Sequence, residues 1–247
     1  MTKNSLAVIG KSRLAKDLFE LSRAKGFEAT LHSEPEEVPT STSMIVETHA
    51  GGEEEKKTII SKLDALSSSS IILASCVGFS TSRIASWISR PGRVVGFATF
   101  YPLEGRKLIE LSAGLGTQES SLEATETFFR SLGKETVRVT DTSGLVFPRI
   151  LSLIINEAAR SLDEGLAQRE EIDVAMRLGT NYPSGPLRWA DQIGLDEVLA
   201  VLEGLQQETG EERYRPALLL KKMVLAGRLG ECSGQGFYDY RKGNPAQ

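Results

Sequence analysis

The stretch L-A-V-I-G-K-S-R-L-A-K-D-L, from Leu6 to Leu18, decides the fold class of the first part of this chain. Four apolar residues lead into Gly10, and after a short polar turn the apolar residues return at helical spacing. This order is typical of a buried strand, a tight turn and an amphipathic helix. The stretch therefore predicts the first strand, turn and helix of an α/β domain.

The following residues continue to alternate strand and helix patterns up to about Val139. Runs rich in β-branched and apolar residues predict strands at Ser5–Ile9, Glu28–His32, Met44–Glu47, Ile71–Ala74, Val94–Gly96 and Thr136–Val139. Apolar residues at helical spacing predict helices at Leu14–Lys25, Glu53–Leu66, Ser80–Ile88 and Gln118–Leu132. Such alternation predicts a parallel sheet with helices on both faces.

From Gly144 onward the sequence shows helical patterns only. Apolar residues from Leu145 to Leu162 recur at i, i+3 and i+4, which predicts one long helix with an apolar face. Further helices are expected near Arg169–Leu178, Leu187–Ile193, Asp196–Glu208 and Pro216–Ala226. We therefore expect an α/β domain over residues 1–142, followed by an all-α domain over residues 143–247.

The composition excludes several classes of function. The 247 residues carry a net charge of -4 with acidic and basic side chains interspersed, so no basic stripe for nucleic acid is expected. No apolar run approaches the roughly 20 residues that cross a bilayer, and the first residues lack the pattern of a signal peptide. These features predict a cytoplasmic protein with no membrane partner. No metal site is expected either.

The turn after the first strand resembles the dinucleotide-binding turn of the Rossmann fold. That turn reads G-x-G-x-x-G, in which Ala is an accepted variant of the last Gly and a helix N-terminus receives the pyrophosphate. Here the three positions hold Gly10, Ser12 and Ala15. The Ser12 side chain is expected to weaken or abolish cofactor binding, whereas Lys11 and Arg13 are expected to act as phosphate ligands.

The end of the second strand carries the expected ribose site. A Rossmann fold that binds NAD places Asp or Glu there to accept hydrogen bonds from the adenosine ribose. In this chain the position falls on Ser33, with Glu34 beside it. NAD is expected if Glu34 reaches the ribose; otherwise the basic pair Lys11 and Arg13 favours NADP, which remains an alternative.

Two segments rich in Gly, Pro and aromatic residues identify the second domain. They read G-T-N-Y-P-S-G-P-L-R-W-A-D-Q-I-G at Gly179–Gly194 and S-G-Q-G-F-Y-D-Y at Ser233–Tyr240. Both resemble the C-terminal domain of the 3-hydroxyacyl-CoA dehydrogenases. The resemblance implies NAD-dependent oxidation of a 3-hydroxyacyl-CoA in fatty acid metabolism, with an acyl-CoA substrate and a homodimer formed through the helical domain.

The catalytic signature of that family is only partly present. It reads H-F-F-N-P with a Glu eight residues after the Pro, and the His is the base that the Glu orients. Pro102 and Glu110 keep this spacing, but Ala98 stands at the His position. The family also has an Asn at the start of the long helix, where this chain has Pro148. A family N-T-S-S segment is replaced at Cys76–Phe79.

Glu110 and His49 are therefore the candidate catalytic residues. In the family, the loop that contains His49 passes close to the nicotinamide ribose, so His49 is a candidate relocated acid/base and Glu47, at the start of that loop, a candidate cofactor ligand. Glu110 is expected to act as an acid or base alone if it is buried, because burial raises a carboxyl pKa.

Three hypotheses about function follow from these residues. The first is an NAD-dependent 3-hydroxyacyl-CoA dehydrogenase with altered or impaired catalysis. The second is a non-catalytic paralogue that binds acyl-CoA or a partner subunit. The third is an NADP-dependent reductase of another substrate. Binding of NADH and NADPH, followed by turnover of acetoacetyl-CoA, would discriminate among them.

Overall fold

The computed structural model describes residues 5–241. Within this range the chain forms a seven-stranded sheet in its first part and a set of helices in its second. The strands are β1 Ser5–Ile9, β2 Glu28–His32, β3 Met44–Glu47, β4 Ile71–Ser75, β5 Val94–Ala98, β6 Leu108–Ser112 and β7 Glu135–Arg138. The helices are α1 Arg13–Ala24, α2 Glu53–Leu66, α3 Thr81–Ala85, α4 Glu119–Ser131, α5 Phe147–Asp163, α6 Arg169–Thr180, α7 Pro186–Ile193, α8 Leu195–Thr209 and α9 Leu218–Leu225.

The sheet has the strand order β2-β1-β3-β4-β5-β6-β7. Every neighbouring pair is parallel except β5 and β6, which run antiparallel. Strand β6 was not predicted from the sequence, and it supplies the single antiparallel pairing. In that pair Ala98 lies directly opposite Glu110. The two positions of the catalytic signature are thus neighbours across two strands.

Alternating residues of the strands pack into two separate cores, because side chains of a strand point to opposite faces of the sheet. Leu6 and Val8 pack with apolar residues of α1 and α4 on one face. Ala7 and Ile9 pack with residues of α2 and α3 on the other. The sheet is therefore covered by helices on both faces, and the predicted α/β class followed by an all-α part is confirmed.

The helical part is fixed by two buried aspartates that each accept two backbone N–H groups. Asp173 on α6 accepts from Leu187 and Arg188 in the first turn of α7, at 2.8 and 3.0 Å. Asp191 on α7 accepts from Phe237 and Tyr238 of the final segment, at 2.8 Å each. Helix α6 ends in Asn181, which adopts a left-handed conformation with φ of 57°.

The chain divides into two compact units, the first ending at Phe147 and the second beginning at Pro148. The predicted boundary at 142/143 stays a prediction. Across residues 5–241, we find no helix with the length and apolar character that a membrane span requires.

Candidate nucleotide-binding and catalytic sites

The turn between β1 and α1 has a backbone that requires glycine. Gly10 adopts φ of +143°, and a Cβ at this position would lie 2.1 Å from the Thr48 hydroxyl oxygen. The Gly10 N–H donates to the carbonyl oxygen of His32, which fastens the turn to the end of β2. The first glycine therefore lets three strand ends approach one another closely.

Ser12 is the N-cap of α1. Its hydroxyl oxygen accepts the Ala15 N–H at 3.1 Å and lies 3.3 Å from the Thr48 hydroxyl. Ala15 is fully buried in the core. The Arg13 guanidinium lies 4.1 Å from the ring centroid of Tyr101. The serine at the second glycine position thus stabilises the start of α1, the helix end that a dinucleotide pyrophosphate would approach.

The end of β2 brings a carboxylate to this turn. Glu34 follows Ser33, and its Oε1 atom accepts a hydrogen bond from the Lys11 ammonium at 2.8 Å. The hydrogen bond and charge of Glu34 raise the pKa of Lys11. The Ser33 N–H donates to the Glu37 carboxylate at 3.2 Å. The candidate phosphate ligand and the candidate ribose ligand therefore form an ion pair with each other.

Glu47 lies in the interior, where it fixes the loop that contains His49. One of its oxygens accepts from the Lys56 ammonium at 2.7 Å, and both side chains are fully buried. The other accepts the His49 N–H at 2.6 Å, while Lys56 also donates to the His49 carbonyl. Glu47 thus acts on His49 through the backbone. The His49 Nε2 atom lies 3.6 Å from a Glu55 oxygen.

One cavity of about 420 Å³ contains many of the candidate cofactor residues. It is lined by Ile9, Gly10, Lys11, Ser33, Glu34, Pro35, His49, Glu54, Glu55, Thr58, Ile59 and Lys62. The α2 residues of this set were not predicted from the sequence. Their signal was present, because Glu55, Ile59 and Lys62 follow the i, i+4, i+7 spacing of one helix face. Ser12, Arg13, Ala15, Glu47 and Glu110 are not among the lining residues.

These residues fit a dinucleotide. The cavity opens beside the Gly10 turn, where the first α1 turn offers backbone N–H groups, and it combines an acceptor for ribose hydroxyls with two ammonium groups. Gly10, Lys11, Ser33, Glu34 and His49 would hold the adenosine and diphosphate portions. In the described part of the chain, no cluster of three or more His, Cys, Asp or Glu residues could bind a metal.

Glu110 is buried and binds the start of α5. Its two carboxylate oxygens accept the N–H groups of Val146 and Phe147, at 2.8 and 2.9 Å. Burial raises the pKa of Glu110, although the two backbone hydrogen bonds favour the ionised form. Opposite it, Ala98 is 3% exposed and packs among apolar side chains that include Leu145. The carboxylate of the family signature is thus present without its imidazole.

The other two altered positions also hold groups unsuited to binding a substrate oxygen. Pro148 is buried in the first turn of α5, where proline needs no N–H partner. Cys76 is fully buried, and its sulfur lies 3.3 Å from the Thr81 hydroxyl. Burial raises the pKa of the Cys76 thiol to about 12. The thiol is therefore neutral at physiological pH.

A sheet of this order, with a glycine turn after its first strand, is typical of dinucleotide-binding proteins of the Rossmann class. Residues 23–142 match the family model described as the 3-hydroxyacyl-CoA dehydrogenase NAD binding domain, and residues 144–240 match that family's C-terminal domain. The chain belongs to the 3-hydroxyacyl-CoA dehydrogenase family, and NAD is the family's cofactor. The NAD-domain match begins at Arg23, after the Gly10–Ala15 turn.

Individual relatives agree with this assignment. A 3-hydroxybutyryl-CoA dehydrogenase of Bradyrhizobium diazoefficiens is 35% identical over 231 residues, which covers 93% of this chain and 79% of that protein. One of Clostridioides difficile is 41% identical over 188 residues, covering 76% and 67%. The crystal structure of FadB2 of M. tuberculosis superposes with a TM-score of 0.85 at 26% identity, covering 96% and 99%.

Proposed function

We propose that this chain binds NAD and an acyl-CoA as a 3-hydroxyacyl-CoA dehydrogenase whose turnover is impaired. The observation that carries the proposal is the pairing of Ala98 with Glu110, which leaves the carboxylate without a base to orient. NAD, when bound, supplies the hydride acceptor of this chemistry. General-base catalysis contributes about 10²- to 10⁴-fold, so turnover is expected to fall by a factor of that order.

The carboxylate of Glu110 is a poor replacement for the missing base. Both of its oxygens are engaged by backbone N–H groups, and taking up a proton would weaken at least one of these hydrogen bonds. His49 is the second candidate acid/base, and it lines the nucleotide cavity. We therefore propose that Glu110 mainly binds the backbone at the start of α5. Any proton transfer, by Glu110 or by His49, should be slow.

The remaining predicted site residues are proposed as cofactor residues. We propose that Gly10, Ser12 and Ala15 shape the turn, and that Lys11 and Arg13 approach the diphosphate. Ser33 and Glu34 are proposed to bind the adenosine ribose. Glu47 is proposed to position the loop that contains His49, because its carboxylate accepts the His49 N–H.

Restoring the imidazole tests this proposal directly. NADH fluorescence titration of the wild type should saturate, while oxidation of NADH with acetoacetyl-CoA should be slow. Ala98→His should raise that rate by about tenfold or more, below the full contribution of a general base because Pro148 and Cys76 remain. Ala98→Asn, of similar size and without a base, should not raise it.

Either of two results would contradict the proposal. Wild-type turnover that Ala98→His does not increase would show that another residue already acts as the base. An absence of NADH binding would favour the non-catalytic paralogue, whose supporting observation is the replacement of three polar groups at Ala98, Pro148 and Cys76.

The assembly and location of the protein are also part of the proposal. Large apolar side chains are exposed on the helical unit, including Leu166, Leu178 and Leu225 at 78, 71 and 87%. We propose that the helical unit forms a homodimer, which light scattering would report as twice the 26.9 kDa of one chain. The two free cysteines are consistent with a cytoplasmic location. The net charge of -4 argues against a nucleic acid partner.

A further inference from the structure

Another cavity lies at the opposite edge of the sheet from the Gly10 turn. Its volume is about 670 Å³, and its lining includes Ile71, the first residue of β4, and Arg93, which directly precedes β5. Gly10 instead follows the last residue of β1, a strand that runs in the same direction as β4 and β5. We call this space the amino-edge cavity, and it shares no lining residue with the nucleotide cavity.

The side chains around the amino-edge cavity favour an anion. Among the described residues, two arginines and several serines line it and no carboxylate does. Arg90 is exposed, and its guanidinium makes one long hydrogen bond, of 3.5 Å, to the Ser67 carbonyl oxygen. The carboxylates of Asp64 and Glu119 lie on neighbouring elements, and both are paired with arginines. The positive charge of Arg90 is therefore available to a ligand.

Arg93 adds a buried donor that has no acceptor. Only 7% of this residue is exposed. Its Nη1 atom donates to the Ser70 carbonyl oxygen at 2.7 Å, and its Nη2 atom donates to the Asp64 carboxylate. The buried Nε atom finds no acceptor in the part of the chain that the structure describes. Because a buried donor without an acceptor destabilises a fold, an anionic oxygen beside Arg93 would be favourable.

Helix α4 begins at the same cavity. Its N-cap residue, Gln118, and Ser120 of its first turn both line the cavity, and the Gln118 side chain makes no capping hydrogen bond. The start of a 13-residue helix carries unpaired N–H groups and partial positive charge, which favour an anion. Gly92 permits the close approach of the two segments, because a Cβ there would lie 2.9 Å from the Gln118 side chain.

We propose that the amino-edge cavity binds a phosphate group. Arg90 and the start of α4 supply the positive charge, and Arg93 supplies the unpaired donor. The hydroxyl groups of Ser68, Ser69 and Ser120 donate to the phosphate oxygens. The volume lies within the range of small-molecule sites, so the cavity has room for the organic part of a phosphate ester. This site is independent of the nicotinamide cofactor.

Isothermal titration calorimetry of the full chain with inorganic phosphate, and separately with glucose 6-phosphate, tests the proposal. Both probes should bind saturably. Tighter binding of glucose 6-phosphate would assign the site to a phosphate ester, and equal affinities would assign it to free phosphate. Ser120→Asp should weaken both by about tenfold or more, because it places a like charge beside the phosphate. The fold should tolerate this change, since an acidic residue in the first turn of a helix is favourable.

Thr127→Asp is the matched control, because it adds the same charge to α4 about two turns further along. It should change the affinity much less, since salt screens a charge about 10 Å away. Lys11→Ala tests for binding at the nucleotide turn and should leave the affinity unchanged. The inference is overturned by an absence of saturable binding, by equal losses in the two Asp variants, or by a loss in Lys11→Ala alone. NADH binding tests the proposed function separately.

Discussion

At the scale of single residues, Glu110 has a structural task that does not depend on an imidazole. Its two oxygens accept the Val146 and Phe147 N–H groups, which have no acceptors within the helix that they begin. An imidazole at position 98 would add a third interaction to the Glu110 carboxylate, which already accepts two backbone N–H groups. The presence of Glu110 opposite Ala98 therefore does not by itself indicate catalysis.

Glu110→Gln should destabilise the protein. The amide has one acceptor oxygen, so one of the two N–H groups would face an NH₂ group instead of an oxygen, in a site that is 5% exposed. A buried donor without an acceptor costs about 1–3 kcal/mol, and the free energy of unfolding should fall by that amount in urea titrations. Glu104→Gln makes the same chemical change at an exposed position and should have little effect. Equal stability of the two variants would refute the anchoring role.

Asp191 predicts a dependence of stability on pH. Burial raises the pKa of Asp191 to about 6, above the value of 3.8 for a free carboxyl. Because the folded state then binds the proton more tightly, the stabilisation from this group is complete below about pH 4. This contribution of Asp191 to the free energy of unfolding is lost as the pH rises through about 6.

Asp191→Asn isolates this contribution. The unfolding free energy of the wild type should fall relative to that of Asp191→Asn between pH 4 and pH 7, by about 3 kcal/mol at most, because the variant has no titrating group at this position. A difference that is constant over this range would show that Asp191 has an ordinary pKa.

At the scale of elements, the final segment of the second unit packs against α7 with no free space at one glycine. A Cβ at Gly236 would lie 1.9 Å from an Asp191 oxygen and 2.7 Å from the Gly230 backbone. Gly236→Ala is therefore expected to displace the segment and to lower the free energy of unfolding by about 1–3 kcal/mol or more. The melting temperature should fall accordingly. Circular dichroism melting would measure this.

Gly179→Ala is the matched control for that change. Gly179 lies within α6, and a Cβ added there would meet no heavy atom within 4 Å. Gly179 is the second-to-last residue of α6, so the gain should be smaller than the about 0.5–1 kcal/mol that alanine gives in a helix interior, and this variant should be at least as stable as the wild type. A destabilised Gly179→Ala, or an unaffected Gly236→Ala, would contradict the described packing.

Most elements were predictable from local patterns, and the exceptions have physical reasons. Strands β1, β2 and β3 lie where alternation and β-branched residues predicted them. Strand β6 was missed because Glu110 interrupts its apolar run, and a charged residue in a five-residue strand conceals its burial. The partners of Glu110 are 36 and 37 residues away, so no local pattern reports them. The predicted helix Ser80–Ile88 is shorter, since α3 covers Thr81–Ala85.

In the candidate site too, some residues were predictable from local sequence patterns and others were not. Gly10, Lys11 and Glu34 were predictable, because a known turn motif and the end of a strand place them. The Glu47–Lys56 pair was not, because a glutamate at a strand end is equally compatible with a ligand and with a buried ion pair. The buried ion pair is seen only in the packing of α2 on the sheet, which buries both side chains completely.

At the scale of the whole molecule, cofactor binding should stabilise the chain in a concentration-dependent way. A ligand that binds only the folded state at a hundredfold excess over its dissociation constant contributes about 2.7 kcal/mol. For a protein of this size, NADH should then raise the melting temperature by about 5 to 10 °C. Differential scanning fluorimetry with NADH, and with NADPH as the comparison, would measure it. No shift with NADH at any concentration would contradict the proposed cofactor.

The two hydrogen bonds that Glu110 accepts at the start of α5 also affect which residues can change during evolution. The imidazole position belongs to a strand whose neighbours accommodate alanine, so chemistry could be lost there without loss of the fold. The carboxylate has no such freedom, because its removal would release two backbone groups. Residue 98 is therefore freer to change than Glu110, whose replacement leaves two backbone N–H groups without their acceptors.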